Sequence, residues 1–310
     1  MGEIIQSKKV VAVTPYLRDS GSNFKMQPYY AWKKVGGMEA RAHYPFERLH
    51  FFAYRIDCPT FVLHKREARF RFAEAQSITF DTFPDYLCYE IIPLIWDCWP
   101  ALDERVVIWL RKHKVKSCVF TSCQAAERIK LRLPYLNILT ITEGIDVSRY
   151  NSGKNLSDRS IDFYTYGRLK KELFDFEIEG IQKERGGAGE LLFERLGDSK
   201  ITVALPQCDV NPDYTGGQET LTQRFWECML SRTVLLGRSP KELIDLIGYD
   251  PVVPIDYEHY AKQIKDIVAN IEDYQSLVDK NRETALRMAP WEIRMKQVME
   301  WLESLGYEVK

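Results

Sequence analysis

No stretch of this 310-residue chain approaches the ~18 consecutive uncharged apolar residues that a membrane-spanning helix needs. The opening Met1-Gly2-Glu3-Ile4-Ile5-Gln6-Ser7-Lys8-Lys9 has no apolar run suited to secretion. A soluble, cytoplasmic protein is the expectation. Paired cysteines are missing too: Cys58, Cys88, Cys98, Cys118, Cys123, Cys208 and Cys228 form no C-x-x-C pair and keep no fixed spacing to the five histidines. That pattern argues against a disulfide framework or a zinc site and for reduced, mostly buried thiols. His43, His50 and His64 have no partner that sequence supplies and read as structural. Low-complexity segments are absent, and so are repeats beyond two similar halves.

What is present suits an α/β protein. With 45% hydrophobic and 28% charged residues, the chain can bury an ordinary core and is long enough for two compact domains. Its net charge of −1 hides an asymmetry, since residues 1–150 hold 22 Lys/Arg against 16 Asp/Glu while residues 151–310 hold 21 against 28. An excess of cations in the first half points to an anionic partner. They gather in Lys65-Arg66-Glu67-Ala68-Arg69-Phe70-Arg71-Phe72 and in Trp109-Leu110-Arg111-Lys112-His113-Lys114-Val115-Lys116. The second stretch reads as the basic end of a helix, where cations complement the dipole. Read functionally, both would dock on an anionic membrane or a phosphate-bearing acceptor, with nucleic acid placed behind these because the excess is modest.

Apolar β-rich runs alternate with helical patterns in both halves. Strands are expected at 10–13, 61–64, 87–96 and 117–122, with helices at 101–114 and 123–132 between and after the last two. The second half predicts strands at 160–166, 201–206, 233–237 and 251–255, with a turn-rich loop at 207–215. Polar residues at the C-terminal ends of such strands face a ligand crevice, which singles out Asp97, Thr121 and Ser122. An Asp after a strand is equally a helix or turn cap.

The densest signal is Gly216-Gly217-Gln218-Glu219-Thr220-Leu221-Thr222-Gln223-Arg224-Phe225-Trp226-Glu227-Cys228-Met229-Leu230. Leu221, Phe225, Cys228 and Met229 recur at i, i+4, i+7 and i+8, one helical face, behind a glycine turn. A helix leaving such a turn beside a parallel strand favours a phosphate through its free N–H groups and dipole. Carboxylates nearby suit polyhydroxyl partners such as ribose or a sugar ring. Spacing alone does not select this pair, because Glu39/Glu47, Glu292/Glu300 and Glu300/Glu308 share it. Only Glu219/Glu227 has glycines before it, a helix under it and a β-rich strand after it.

This order resembles the retaining nucleotide-sugar glycosyltransferases of the GT-B group, typified by glycosyltransferase family 4. Thr142-Glu143-Gly144-Ile145-Asp146-Val147-Ser148-Arg149-Tyr150 is similar to that family's interdomain stretch, and Ile161-Asp162-Phe163-Tyr164-Thr165-Tyr166-Gly167-Arg168-Leu169 to the strand-GRL opening of its second domain. Trp291 resembles the start of the family's return helix. The match spans most of 140–305. It departs where the family has Glu-Gly-Phe-Gly and this chain has Glu219-Thr220-Leu221-Thr222. A second departure is Leu173, at the place of the family's basic residue.

The resemblance implies an α/β fold of two Rossmann-like domains facing across a cleft. A trimmed acceptor domain would cover 1–146, a donor domain 147–290, and 291–310 a C-terminal helix returning to the first domain. It implies transfer of a sugar from a nucleotide-diphosphate sugar to an acceptor hydroxyl, with retention and without a metal or other cofactor. Arg168 with Lys170 or Lys171, and Arg224, would face the diphosphate. Glu219 would hold donor-sugar hydroxyls and Glu227 the ribose, with Gly167, Gly216, Gly217, Thr220, Leu221 and Thr222 lining the donor. Asp97, Thr121 and Ser122 would meet an acceptor, Asp97 as a base or orienting group. The acceptor would be a surface-polysaccharide or lipid-linked glycan, with a modified DNA base behind them and peripheral contact with the inner membrane face through the basic half. A sugar-nucleotide epimerase and a non-catalytic binding protein of the same fold are the competing readings.

Overall fold

The computed structural model describes residues 7–15, 24–40, 60–167, 169, 174 and 177–310. The chain divides into two compact units, one running to Thr142 and completed by Trp291–Lys310, the other Glu143–Pro290.

In the first unit the elements are β1 (Lys8–Val13), α1 (Met26–Lys34), β2 (Glu39–Ala40), β3 (Glu67–Glu74), α2 (Ile78–Thr82), β4 (Glu90–Trp96), α3 (Asp103–Lys112), β5 (Ser117–Phe120), α4 (Cys123–Arg132) and β6 (Asn137–Thr140). Every pairing is parallel. Parallel strands buried on both faces read as unbroken apolar runs, and Glu90-Ile91-Ile92-Pro93-Leu94-Ile95-Trp96 is buried throughout. Helix α4 starts where the sequence places it because the Ser122 hydroxyl accepts the Ala125 N–H at 3.4 Å, satisfying a donor that the helix cannot.

The basic run 65–72 is corrected here. Most of it is β3, the strand between β1 and β4. Ala68, Phe70 and Phe72 are buried, and the Arg71 guanidinium lies inside, donating to Asp85 at 2.8 Å and to the Asp81 carbonyl. Arg69 stacks over the Tyr89 ring at 4.1 Å. Alternating Arg and Phe mark a strand whose cations are consumed internally, leaving only Lys65 and Arg66 outside. Conversely, 61–64 is no strand. It runs extended and exposed, tied to the backbone at Leu87 and Cys88. The run at 109–116 is the basic end of α3, with Arg111 and Lys112 in its last turn.

The second unit contains β7 (Ile161–Thr165), β8 (Lys183–Arg185), α5 (Glu190–Gly197), β9 (Ser199–Ala204), α6 (Gln207–Val210), α7 (Pro212–Thr215), α8 (Gln223–Leu230), β10 (Val234–Gly237), α9 (Lys241–Ile247), β11 (Val252–Pro254), α10 (Tyr260–Ala269) and α11 (Gln275–Met288). Its sheet, again all parallel, has the order β11-β10-β9-β7-β8. Helix α8 begins at Gln223, yet the predicted face holds: Leu221, Phe225, Cys228 and Met229 are all fully buried.

The last elements, α12 (Trp291–Ser304) and β12 (Tyr307–Glu308), belong to the first unit. Strand β12 pairs with β1, Lys8 opposite Tyr307, giving the order β12-β1-β3-β4-β5-β6 with β2 also on β1. Glu90 fixes that edge by accepting from Lys8 and from the Tyr307 hydroxyl. Helix α12 buries Trp291, Met295, Val298, Met299 and Leu302 in the core built by Trp32, Phe70 and Phe72. Each such side chain contributes about 1.5–3 kcal/mol on leaving water. The architecture is the expected α/β one of two Rossmann-like sheets. Among the described residues no helix is long and apolar enough to cross a membrane.

Candidate functional site

Ligands of parallel sheets bind at the carboxyl ends of the strands, and the second unit carries its polar side chains there. Strand β7 runs into Tyr166 and Gly167. Gly167 has φ +65°, and a Cβ on it would lie 2.3 Å from the Arg224 Nη2. Arg224, in the first turn of α8, spreads its guanidinium over the Tyr166 ring at 4.7 Å. It makes no ion pair among the described residues, and no side chain caps the helix beneath it, so cation and free N–H groups share one end of α8. Arg168, Lys170 and Lys171 lie outside the described residues.

One turn along α8, Glu227 accepts the Tyr166 hydroxyl at 2.8 Å on one oxygen and the Tyr150 hydroxyl at 3.1 Å on the other. Burial, with the Glu227 carboxylate and, at Tyr166, the Cys228 thiol adding to it, pushes both phenols well above their ordinary value. Both therefore stay protonated and donate. Each Glu227 oxygen retains an acceptor direction for a further hydroxyl. The 142–150 stretch that delivers Tyr150 is pinned to the same helix: Trp226 donates to the Glu143 carbonyl at 2.9 Å and Gln223 to that of Gly144 at 3.0 Å.

Glu219 sits in the loop before α8, after the left-handed Gly216 and Gly217 at φ +57° and +77°. One of its oxygens pairs with Arg238 and the other accepts the Lys241 N–H at 2.8 Å, at the start of α9. Arg238, which the sequence reading missed, also makes a two-pronged contact with Asp209 at 2.7 and 2.8 Å. These carboxylates hold its guanidinium firmly protonated. Gly237-Arg238 ends β10 as Gly167-Arg168 follows β7, a signal present in the sequence but unread. A Cβ at Gly237, φ +153°, would lie 2.0 Å from the Ala204 carbonyl oxygen, so glycine is what lets β9 and β10 close here. Beside these groups opens a depression of about 630 Å³ walled by Leu205, Pro254, Ile255 and Tyr257, with Asp209 and Arg238 as its charged groups.

Two residues expected at the donor are turned elsewhere. Leu221 is fully buried and gives its N–H to Glu242 at 2.8 Å, and the buried Thr220 hydroxyl donates to the same carboxylate at 3.4 Å. Of the two positions where the resembled family has glycines, Thr220 instead uses its hydroxyl, with the Leu221 N–H beside it, to anchor the loop to α9. Thr222 is half-buried at the helix start.

In the first unit, Asp97 is exposed just past β4 with φ +49°, a left-handed turn that Asp tolerates, and its carbonyl accepts the Trp99 N–H at 2.9 Å. Thr121 and Ser122 follow β5. Both are buried, and the Ser122 hydroxyl serves as the α4 cap. Among these three only Asp97 presents itself at the surface.

No protein-family profile matches this chain, and no curated protein matches it in sequence. Solved structures do. Anabaena HepE, solved with UDP-glucose, superposes with a TM-score of 0.61 at 9% identity, covering 96% of this chain and 99% of that one. An α-glucosyltransferase, solved with UDP and a 13-mer DNA containing an A:G mismatch, gives 0.54 at 10%, covering 97% and 100%. TarM gives 0.56 at 12%, covering 82% of this chain, which spans only 57% of TarM. At such identities the likeness carries the fold, and the fold of this chain is GT-B.

Proposed function

We propose that this protein is a glycosyltransferase that moves a sugar from a nucleotide-diphosphate sugar to an acceptor hydroxyl, with retention and without a metal. The observation that carries the reading is the Arg224–Tyr166–Glu227 arrangement: a guanidinium with no ion pair among the described residues at a helix N-terminus, one turn from a carboxylate oriented by two phenols. A diphosphate next to a ribose needs that order of groups. The bound UDP and UDP-glucose of the structural neighbours support a nucleotide-sugar donor.

In this reading Arg224 and the α8 N-terminus receive the charge that gathers on the departing diphosphate, with Arg168 and Lys170 or Lys171 as further cations. Glu227 accepts from the ribose hydroxyls. Glu219, neutralised by Arg238, holds sugar hydroxyls at the mouth of the depression. The bond from the anomeric carbon to the phosphate oxygen breaks with its electrons going to the phosphate. The acceptor oxygen attacks from the same face, and its proton passes to the leaving phosphate oxygen. No protein nucleophile is needed. The acceptor is a glycan or lipid-linked hydroxyl, with a DNA base as the other candidate.

A screen of UDP-, GDP-, dTDP-, ADP- and CMP-sugars by thermal shift tests the donor site, run beside Glu227→Ala. A ligand at ~100 times its Kd adds about 2.7 kcal/mol, so one nucleotide should raise the melting temperature and the substitution should remove the rise. Transfer in EDTA with an α-linked product from an α-donor, read by NMR, tests metal independence and retention. The absence of any shift from a folded protein would defeat the proposal. A second reading, binding without transfer, is favoured by the two partners that already occupy Glu219. Donor binding with no turnover across acceptors would select it.

A further inference from the structure

The amino ends of the first unit's strands, opposite the ends that bear Asp97, Thr121 and Ser122, present a surface unlike the rest of that unit. Phe61, Val62 and Leu63 are consecutive and exposed, Phe61 by 62% and Leu63 by 69%. Lys65 and Arg66 follow at once, also exposed, just before β3 begins. The segment forms a ledge fastened to the residues before β4. Phe61 and Leu63 give their N–H groups to the Leu87 and Cys88 carbonyls, both at 2.9 Å, and the His64 ring stacks on Tyr89 at 4.2 Å.

The Thr60 hydroxyl meets His113 Nδ1 at 2.8 Å, which places the basic end of α3 beside the ledge. Arg111 and Lys114 are exposed there, and Lys114 sits in a left-handed turn, φ +50°, that leads towards β5. Lys65, Arg66, Arg111 and Lys114 form no ion pair among the described residues. Of the carboxylates at this edge, Glu67 is paired with Arg69 and Glu90 with Lys8. Tyr135, also exposed, lies within electrostatic reach of Arg111.

We infer that this edge docks on an anionic lipid bilayer, with Phe61, Val62 and Leu63 entering the headgroup boundary and Lys65, Arg66, Arg111 and Lys114 lying against anionic headgroups. Three adjacent exposed apolar side chains distinguish this surface from a nucleic-acid groove, where cations would alternate with aromatic stacking platforms or polar donors. Cations without an ion pair among the described residues distinguish it from an ordinary apolar contact between proteins. Each Lys or Arg close to an anionic leaflet strengthens partitioning about fivefold at physiological salt. The inference stands apart from the donor site and needs no nucleotide.

Sedimentation of the full chain with vesicles tests it, using phosphatidylcholine alone and phosphatidylcholine mixed with phosphatidylglycerol. Binding to the mixed vesicles alone, weakened by salt, is expected. Lys65→Glu with Arg66→Glu should reduce it more than tenfold, and Phe61→Ser with Leu63→Ser at least tenfold. All four side chains are exposed, so the melting temperature and donor binding should not move. A Phe61→Trp variant should show quenching by brominated acyl chains. Failure of the wild type to bind mixed vesicles, retention of binding by either variant, or no quenching would overturn the inference. So would tighter binding to a DNA oligomer that the charge-reversal variant abolishes.

Discussion

Replacing Arg224 with alanine separates a ligand-binding guanidinium from a structural one. Its only tertiary attachment among the described residues is the face of Tyr166 at 4.7 Å, beside Gly167. A half-exposed cation–π contact contributes about 0.5–1 kcal/mol, so a unit of this size should lose about 1–4 °C in melting temperature. Ligand binding should suffer far more. Charge-assisted hydrogen bonds to phosphate oxygens contribute about 1.5–3 kcal/mol, a factor of about 10–150 in Kd. Titration calorimetry would compare the best nucleoside diphosphate from the screen with its parent nucleoside, on wild type, Arg224→Ala and Arg224→Lys. The diphosphate should weaken by that factor in the alanine variant and the nucleoside by less than about twofold, with lysine in between because it keeps the charge but not the fork. Equal losses for diphosphate and nucleoside would refute the assignment. A fall in melting temperature beyond about 8 °C would make Arg224 a structural residue.

Three further outcomes follow from the packing. Gly237→Ala should cost about 2–4 kcal/mol in urea unfolding, since the new Cβ meets the Ala204 carbonyl at 2.0 Å from a backbone that L residues avoid; a neutral result would mean that the strands can part. Burial pushes His113 down to about 4, below its unfolded value of about 6.5, so the folded state resists the proton and stability falls as pH drops from about 6.5 towards 4. That loss should amount to about 2–3 kcal/mol at pH 4.5 relative to pH 7, and urea titrations of His113→Phe should lack this part of the acid dependence. Trp291 packs edge-on against Trp96 at 5.9 Å, and its indole N–H has no hydrogen-bond partner among the described residues, so Trp291→Phe should be far milder than Trp291→Ala, which should cost about 3–5 kcal/mol by chemical unfolding.

The sequence carries β7, β9, β10, β11 and α8 because their apolar periodicity is undiluted, with Leu221, Phe225, Cys228 and Met229 one face in the pattern and one face in the core, but it misses the short β8 and reads the short helices α6 and α7 as a loop. It misleads at β3. Arg69 and Arg71 look like surface charge until Tyr89, Asp85 and the Asp81 carbonyl are brought to them by folding. Glu227 is legible as a carboxylate on a helix, but the phenols that orient it come from positions 150 and 166, which no local pattern links to it. Arg238 lies beyond local patterns for the same reason, because its meaning lies in Asp209 on α6 and Glu219 in the loop before α8. Thr220 and Leu221 fall at the donor only through the resemblance; their own chemistry, a hydroxyl and an apolar chain, sends them to Glu242 and the core.

The pairing of β12 with β1 joins strands that the whole second unit separates in sequence, and this imposes an order on synthesis. While residues 143–290 emerge, the edge of β1 and the apolar floor of Trp32, Phe70 and Phe72 wait without α12 and β12 to cover them, for roughly 7–30 s at ribosomal speeds. The second unit, being one uninterrupted segment, has no such delay. A nascent chain thus spends its late synthesis with a finished second unit hanging from an unfinished first one, and the exposed strand edge in that interval is where a holding chaperone, or a misdirected neighbouring chain, would find its purchase.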